Sequence, residues 1–486
     1  MQSCTNAFRK LKIDLLPAEI VHEKLCKIPL NGMAKDSHSK LFANRQAAGF
    51  LITYCAFYAA GAAMISMWSC LTLTLDFFQA KYPLYRVSFV FPVINMSTLL
   101  LVSIYMILAG RQASIKLRMH TSLISYAIFT MVMVVVNLMH THRNVAYMWT
   151  ILALVCSTIS SSVLQSSVYG LAGVFGPAFI QAIDGGRGFG AIILFIVRLV
   201  VMWLLSNDQE RSSRIGMIAT FTIAVVFILI TWMLYAILST VSFAQPLFRK
   251  YFLVHEESPA ESLFSPLPSP LSAHTSMRRL SYDESSLSEK RPLLPGRARI
   301  PHVPEGCVAQ ATFSTSLFGV LNTAYKPFLS VMLSYLICLS CFPGIIVAIP
   351  SMTLRLGELF PVISVGCYSI GDLVGKSLPV HWMLLSVETM HWWWILQAGF
   401  LLFFVFDYLI SFNDLVTIMM VLGFGLITGY VATCSNMIAP TLCSGHQKEI
   451  AGMVRALCSI FGLCIGSYCG LALLTILQLI QLLRSA

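Results

Sequence analysis

Two oppositely charged side chains, Asp372 and Lys376, lie within a long apolar stretch at about residues 359–378. A run of this length can cross a lipid bilayer as a helix. Their spacing of four residues places both side chains on one helix face, with the acid first, which is the favoured order for an ion pair. A lone charge at the bilayer centre costs roughly 2.5–3.5 kcal/mol on insertion scales, so such residues usually pair and face a cavity or the bundle interior. The pair is predicted to belong to a substrate pathway; a structural lock between helices is the alternative.

Two further side chains in apolar stretches could bind a planar, hydrogen-bonding solute. Trp68 lies deep in the first apolar stretch, although tryptophan is more usual at the membrane interface. Gln165 lies in a run of small and polar residues, and its amide can both donate and accept hydrogen bonds, which suits the edge of a nucleobase or a sugar. Core packing for Trp68 and helix–helix contact for Gln165 are the alternatives.

Four more polar residues are predicted to support this site: Asn95, Arg187, Arg198 and Ser369. Arg187 lies in a glycine-rich run, 185–190, which lacks the pattern of a phosphate loop and is expected to allow a tight turn and close helix contact. Arg198 is expected to pair with a neighbouring acid or a backbone carbonyl. Three glycines of the last apolar stretch recur every fourth residue, which predicts a close helix contact.

The composition is that of a membrane protein with several spans. Of 486 residues, 57% are hydrophobic and 11% are charged, whereas soluble domains carry about 25% charged residues. The net charge of +11 is therefore interpreted as a signal of topology and not as a nucleic-acid footprint. The 14 cysteines show no metal-ligand spacing and no disulfide framework, so neither a metal nor a cofactor is predicted. No cleavable signal peptide is evident at the start of the chain.

Eleven apolar stretches predict an all-α protein with eleven transmembrane helices, six before and five after a long central loop. The predicted regions are a basic segment at 1–45, helices 1 to 6 at 46–241, a polar loop at 242–324, and helices 7 to 11 at 325–486. The lysines and arginines concentrate in the first segment and the central loop, which places the N-terminus in the cytosol. An odd number of spans then places the C-terminus outside.

The central loop at 242–324 is rich in serine, proline and charge, so it is predicted to be disordered. Ser281 follows two arginines at the spacing of a basic-directed kinase site. Glu289 precedes Leu293 and Leu294 at the spacing of an acidic dileucine signal read by sorting adaptors. Both patterns are short and also arise by chance, so a kinase and an adaptor are expected partners only if the motifs are used. The plasma membrane is the preferred location, and an endo-lysosomal or vacuolar membrane is the alternative.

The motifs of enzymes and of ATP-driven pumps are missing from the sequence. It contains no HExxH, GxSxG or Walker pattern. These absences favour a secondary transporter or facilitator and argue against an enzyme.

The membrane part resembles the equilibrative nucleoside transporters over about residues 50–245 and 325–480. The likeness rests on six stretches that recur in the family's order: 61–78, 161–173, 341–344, 371–379, 425–430 and 449–452. It implies a fold of two bundles similar to the major facilitator type, with a central cavity and alternating access. It further implies that Trp68, Gln165, Asp372 and Lys376 line or support a nucleoside site.

Departures from the family pattern leave the substrate open. Lys376 stands where most nucleoside-carrying members have arginine, and lysine lacks the bidentate fork of a guanidinium. The stretch around Asp372 is closer to the branch that carries monoamines and organic cations. That branch tends to have an acid where this chain has Arg187, and a positive charge there would repel cations. We therefore expect facilitated transport of nucleosides, with nucleobases as a second class. A polyspecific organic-cation or monoamine transporter, a proton-coupled nucleoside symporter and a membrane scaffold are the alternatives.

Overall fold

Every segment of regular structure in the described part of the chain is helical. The computed structural model describes residues 37–85, 87–109, 114–139, 142–248, 317–354, 359–443 and 447–485. The helices of the first half are α1 (Ser37–Leu73), α2 (Leu75–Lys81), α3 (Val87–Leu108), α4 (Ile115–Leu138), α5 (Arg143–Phe175), α6 (Pro177–Leu204) and α7 (Gln209–Leu238). Those of the second half are α8 (Tyr325–Cys341), α9 (Gly344–Ala348), α10 (Leu359–Ser377), α11 (Met390–Ile410), α12 (Asp414–Thr441) and α13 (Gln447–Ser485). Ser281, Glu289, Leu293 and Leu294 lie outside the described residues.

Short polar caps begin several of these helices where the sequence turns from a loop to an apolar run. The hydroxyl of Ser114 accepts a hydrogen bond from the backbone of Leu117 at the start of α4. The carboxylate of Asp208 and the amide oxygen of Asn413 do the same for α7 and α12. Each cap satisfies one of the backbone N–H groups that the first turn of a helix leaves without a partner.

Each half of the chain has its own apolar core, which gives the two-bundle arrangement. The larger core is formed mainly by α1 and α3 to α7 and includes Tyr126 and Phe221. The second is formed by α8 to α13 and includes Phe404 and Phe424. Large apolar side chains such as Trp203 and Leu483 remain exposed on the outside of the helices, as expected where lipid replaces water.

Ten helices among the described residues are long and apolar enough to cross a membrane, six before and four after the central segment. The helix with Asp372 and Lys376, α10, is not among these ten, although it is 19 residues long. Its two charges and its serines and glycines lower its hydropathy. A protein with many membrane spans is confirmed, while the count of eleven and the division into six and five stay predictions.

The glycine-rich run 185–190 is helical, so the prediction of a tight turn there is wrong. The helix α6 begins already at Pro177, directly after Gly176, whose φ of +128° lies in a region that only glycine adopts easily. The run serves close helix contact instead: a Cβ on Gly186 would lie 1.9 Å from the carbonyl oxygen of Tyr58 on α1. The glycines therefore let α1 and α6 touch backbone to backbone.

The glycine face predicted in the last stretch is confirmed. A Cβ on Gly462 would lie 2.2 Å from the carbonyl oxygen of Met332, and one on Gly466 would lie 2.5 Å from that of Leu336. Both oxygens belong to α8, so the small residues of α13 bring these two helices into contact.

The two halves also meet closely where α5 ends and α13 begins. A Cβ on Gly173 would lie 2.4 Å from the carbonyl oxygen of Lys448, and one on Gly452 would lie 2.2 Å from that of Tyr169. Arg118 on α4 and Glu449 on α13 form a buried ion pair of 3.7 Å at the same place. This end of the interface between the halves is therefore tightly packed.

Candidate functional site

The predicted ion pair on α10 is present and buried. Lys376 Nζ lies 2.5 Å from Asp372 Oδ2, and the two residues are 6% and 8% exposed. The pair occupies the last two turns of α10, and the carbonyl oxygen of Lys376 accepts a hydrogen bond from Gln181 on α6. The pair therefore belongs to the interface between the halves.

A glycine interface between α10 and α12 fixes the position of this pair. A Cβ on Gly371 would lie 2.2 Å from the carbonyl oxygen of Leu422. From the other side, a Cβ on Gly429 would lie 2.4 Å from the carbonyl oxygen of Asp372. Because the backbones touch, α10 has little freedom to slide or rotate against α12, and the carboxylate of Asp372 is held in place.

Trp68 lies where helices of both halves come together. Its ring is half-buried and packs against a small cluster that includes Met96 of α3, Leu339 of α8 and Cys464 of α13. The protein therefore does not fully enclose the ring at this junction. The position fits the predicted stacking role without testing it.

Gln165 is buried on α5, yet its amide makes no hydrogen bond to any residue that the structure describes. Buried amides nearly always have partners. Tyr169 follows one turn later on the same helix face. The structure therefore leaves the amide of Gln165 available to a ligand beside Tyr169.

A buried polar cluster that the sequence interpretation missed surrounds Tyr169. Its hydroxyl donates to Asp184 Oδ1 on α6 at 2.6 Å. The other carboxylate oxygen of Asp184 accepts a hydrogen bond of 2.7 Å from Asn436 on α12. Arg455 on α13 is fully buried, and its guanidinium carbon lies 3.4 Å from the ring centroid of Tyr169. These four residues come from both halves.

Two more side chains complete this cluster, which we name the central cluster: Tyr169, Asp184, Arg187, Tyr335, Asn436 and Arg455. Arg187 donates to the hydroxyl of Tyr169 at 3.4 Å. Tyr335 of α8 is buried close to the charged residues of the cluster and to Asp372. The predicted ion pair and the central cluster are thus neighbours in one polar region.

The structure distributes the four supporting residues over different places. Arg187 is part of the central cluster inside α6, so the tight turn expected around it is absent. Arg198 lies about three turns further along α6, where it contacts Asp76 and donates to the carbonyl oxygen of Leu73. It therefore ties together helices of the first half, as expected for a pairing arginine.

Asn95 and Ser369 make local contacts. Asn95 is buried on α3 and accepts a hydrogen bond of 2.9 Å from Thr158 on α5. The hydroxyl of Ser369 donates to the carbonyl oxygen of Val365 in its own helix. Neither contact tests a role in substrate binding.

The missed residues did carry a signal in the sequence. Asp184 and Arg455 are ionisable residues within apolar stretches, which is the feature that singled out Asp372. Asp184 directly precedes the glycine-rich run 185–190, where the sequence interpretation expected a turn. Arg455 lies in the last span, where only the spacing of the glycines was considered. Their pairing across the halves depends on tertiary structure and has no signature in local spacing.

No group of histidine, cysteine, aspartate or glutamate side chains suited to a metal ion occurs among the residues that the structure describes.

The arrangement of helices and site is that of a membrane transporter with two halves around a polar centre. A bacterial homologue of the iron transporter ferroportin, in an outward-facing state, superimposes on this chain with a TM-score of 0.50 and 11% identity. The match covers 89% of this chain and 99% of the homologue. A Major Facilitator Superfamily transporter, FucP, covers the same shares with a TM-score of 0.49 and 12% identity. The ferroportin homologue supports the transporter fold alone, because the identity is low.

The sequence comparisons give the family. The profile described as "Nucleoside transporter" matches residues 151–473, well over half of the chain, so this protein belongs to the nucleoside transporter family. "Equilibrative nucleotide transporter 1" of Arabidopsis thaliana is 21% identical over 422 residues, 85% of this chain and 84% of that protein. "Equilibrative nucleoside transporter 4" of Homo sapiens is 23% identical over 452 residues, 86% of this chain and 82% of that protein. The predicted resemblance, the all-α transporter fold and the assignment as a transporter rather than an enzyme are confirmed.

Proposed function

We propose that this protein carries nucleosides, with nucleobases as a second class, across a membrane by facilitated diffusion and alternating access. The observation that carries the proposal is the arrangement of Trp68 and Gln165. One offers a half-buried ring at the junction of the halves, and the other offers a buried amide that no described residue engages. A flat, hydrogen-bonding base needs these two kinds of contact, stacking and recognition of its edge.

Asp372 and Lys376 are proposed to recognise the ribose. The pair lies on the interface between the halves, next to the central cluster through Tyr335. The carboxylate of Asp372 would accept hydrogen bonds from the hydroxyl groups of a ribose, and Lys376 would remain its partner when the site is empty. Binding a ribose would thus weaken a contact that orders this end of α10.

The charges of the central cluster argue against organic cations as the main substrates. Arg187 and Arg455 place two positive groups beside one carboxylate, that of Asp184. A cation entering this region would meet like charge at short range, which costs free energy. Nucleosides carry no charge at neutral pH and avoid this repulsion.

The finer points of topology and regulation are also part of the proposal. We infer a cytosolic N-terminus, an outside C-terminus and a location in the plasma membrane, from the excess of lysine and arginine in residues 1–45 and 242–324. The four regions predicted from the sequence remain the proposed division of the chain. A kinase acting at Ser281 and an adaptor reading Glu289, Leu293 and Leu294 are the proposed partners of the central loop.

Uptake into proteoliposomes containing the purified protein tests the transport proposal. Labelled adenosine and uridine are compared with a labelled organic cation at two external pH values. Saturable nucleoside uptake, with little cation uptake and no pH effect, is the expected result. Cation uptake alone would transfer the assignment to a monoamine-like carrier, and nucleoside uptake that rises in acid would indicate proton coupling.

A further inference from the structure

Most of the buried charged residues on the described membrane helices have a partner that accounts for them. Lys376 pairs with Asp372, Arg198 with Asp76, and Arg118 with Glu449. The two remaining buried acids outside the central cluster accept hydrogen bonds from hydroxyl and backbone N–H groups: Asp407 and Asp414. The charges left over are those of the central cluster.

The central cluster contains a surplus of one positive charge. Asp184 is its single carboxylate, whereas Arg187 and Arg455 are both guanidinium groups that stay protonated in proteins. Both lie against the same residue, Tyr169, with Arg187 at its hydroxyl and Arg455 over its ring. The contact between Arg455 Nη2 and Asp184 Oδ1 is long, at 3.9 Å. One carboxylate therefore does not neutralise this region.

The cluster also has too few hydrogen-bond acceptors for its guanidinium groups. Arg455 is 0% exposed, and its Nε, Nη1 and Nη2 atoms donate to no described residue. The Nε of Arg187 also lacks a hydrogen-bond acceptor among the described residues. Asp184 does not supply the missing acceptors: its two oxygens accept from Tyr169 and Asn436, and the 3.9 Å between Arg455 Nη2 and Asp184 Oδ1 is beyond hydrogen-bond distance. Buried guanidinium donors without acceptors are costly, and an oxyanion is the group that satisfies several of them at once.

These guanidinium donors lie where the proposed substrate would bind. Arg455 stacks on Tyr169, which lies one turn from Gln165 on α5. The cluster joins α5 and α6 of the first half to α12 and α13 of the second. A solute bound between the halves with its edge at Gln165 would therefore present its other groups to the two arginines.

We propose that Arg187 and Arg455 form an oxyanion subsite, so that the preferred substrates are nucleobases or nucleosides with a carboxylate or phosphate group. This inference rests on the proposed transport function and narrows its substrate class. A singly charged carboxylate matches the surplus of one positive charge, whereas a phosphate monoester, with about 1.5–2 negative charges at neutral pH, exceeds it. Carboxylates are therefore expected to bind better than phosphates.

Two pairs of probes separate the anionic group from the rest of the ligand. Orotate differs from uracil by one carboxylate, and uridine monophosphate differs from uridine by one phosphate. Each is tested as a competitor of labelled uridine uptake in proteoliposomes and as a stabiliser of the detergent-solubilised protein against heat. Orotate is expected to compete at concentrations about tenfold lower than uracil, the size of effect that a charge-assisted hydrogen bond provides.

Variants of opposite charge distinguish this subsite from a purely structural cluster. Arg187→Gln and Arg455→Gln each remove the surplus positive charge and are expected to abolish the preference for orotate over uracil. Arg455→Lys retains the charge but not the guanidinium group, and is expected to keep part of that preference. Asp184→Asn doubles the surplus and is expected to strengthen the preference. Arg198→Gln, a buried arginine on α6 away from the cluster, is the matched control and should leave the ratio of orotate to uracil unchanged. If Asp184→Asn and Arg455→Gln moved that ratio in the same direction, the subsite would be refuted.

The remaining outcomes separate this inference from the transport proposal. Uridine uptake without competition or thermal stabilisation by orotate or the monophosphate would overturn the subsite and leave nucleoside transport intact. Chloride-dependent uridine uptake that Arg455→Gln makes chloride-independent, again without an orotate effect, would assign the arginines to an inorganic ion and overturn the substrate class. Absence of uptake of both labelled uridine and labelled adenosine would reject nucleoside transport itself.

Discussion

The guanidinium group of Arg455 on α13 lies over the ring of Tyr169 on α5, with 3.4 Å between the guanidinium carbon and the ring centroid. One residue belongs to the second half of the transporter and the other to the first. Such a contact is favourable, and more so when it is removed from water. Because alternating access moves the halves against each other, this contact is expected to change during the transport cycle. Substrate binding and the closing of the halves are then coupled through Tyr169.

Asp372→Asn is expected to reduce uptake by at least about tenfold while the protein still reaches the membrane. The substitution leaves the ammonium group of Lys376 buried without a counter-charge, and breaking such a pair typically costs about 3–5 kcal/mol. Uptake of labelled uridine, normalised to protein in the membrane, gives the measurement.

A second variant separates charge balance from substrate contact. Asp372→Asn combined with Lys376→Met removes both charges and should recover thermal stability but not uptake. Wild-type uptake by either variant would show that the pair has no part in transport.

Gly371→Ala is expected to lower the melting temperature and the uptake rate together. Its Cβ would lie 2.2 Å from the carbonyl oxygen of Leu422, so α10 must move away from α12, and overpacking of this kind costs about 1–3 kcal/mol. The matched control is Gly399→Ala on α11, where a Cβ would meet no atom within 4 Å. Equal melting temperatures for the two variants would contradict the close contact between α10 and α12.

The sequence was most informative where one local pattern determines the outcome. The spacing of Asp372 and Lys376 predicted a pair on one face of a helix, and the structure has it. The repeat of glycines from Gly462 onwards predicted a helix contact, and α8 provides the partner. Both features depend on helical geometry alone, which spacing along the chain records directly.

Prediction failed where a residue's environment depends on distant parts of the chain. The glycines at 185–190 could serve a turn or a close helix contact, and only the packing of α1 against them decides for contact. Asp184 directly precedes this run and was not among the predicted site residues. Its partners Asn436 and Arg455 are more than 250 residues away along the chain, so no local pattern connects them.

Gln165→Leu is expected to weaken nucleoside binding without destabilising the protein. Its amide has no hydrogen-bond partner among the described residues, so leucine removes no contact within the protein. The contrasting variant is Gln397→Leu on α11, whose amide nitrogen donates to Ser334 and Thr428. Melting temperatures and half-saturation concentrations for uridine together give the test. We expect a raised half-saturation concentration for the first variant and a lowered melting temperature for the second. The reverse pattern would remove Gln165 from the binding site.

Trp68→Ala is expected to raise the half-saturation concentration for adenosine, since stacking of a base on an aromatic ring is worth about 1–3 kcal/mol. That range corresponds to a change of roughly 5- to 150-fold. Trp68→Phe retains a flat ring and should recover most of the affinity. Trp203→Ala is the control, because that ring is 76% exposed on the outer surface of α6. If Trp68→Ala and Trp203→Ala had the same half-saturation concentration, Trp68 would be a packing residue at the junction of the halves, and base stacking would have to come from another ring.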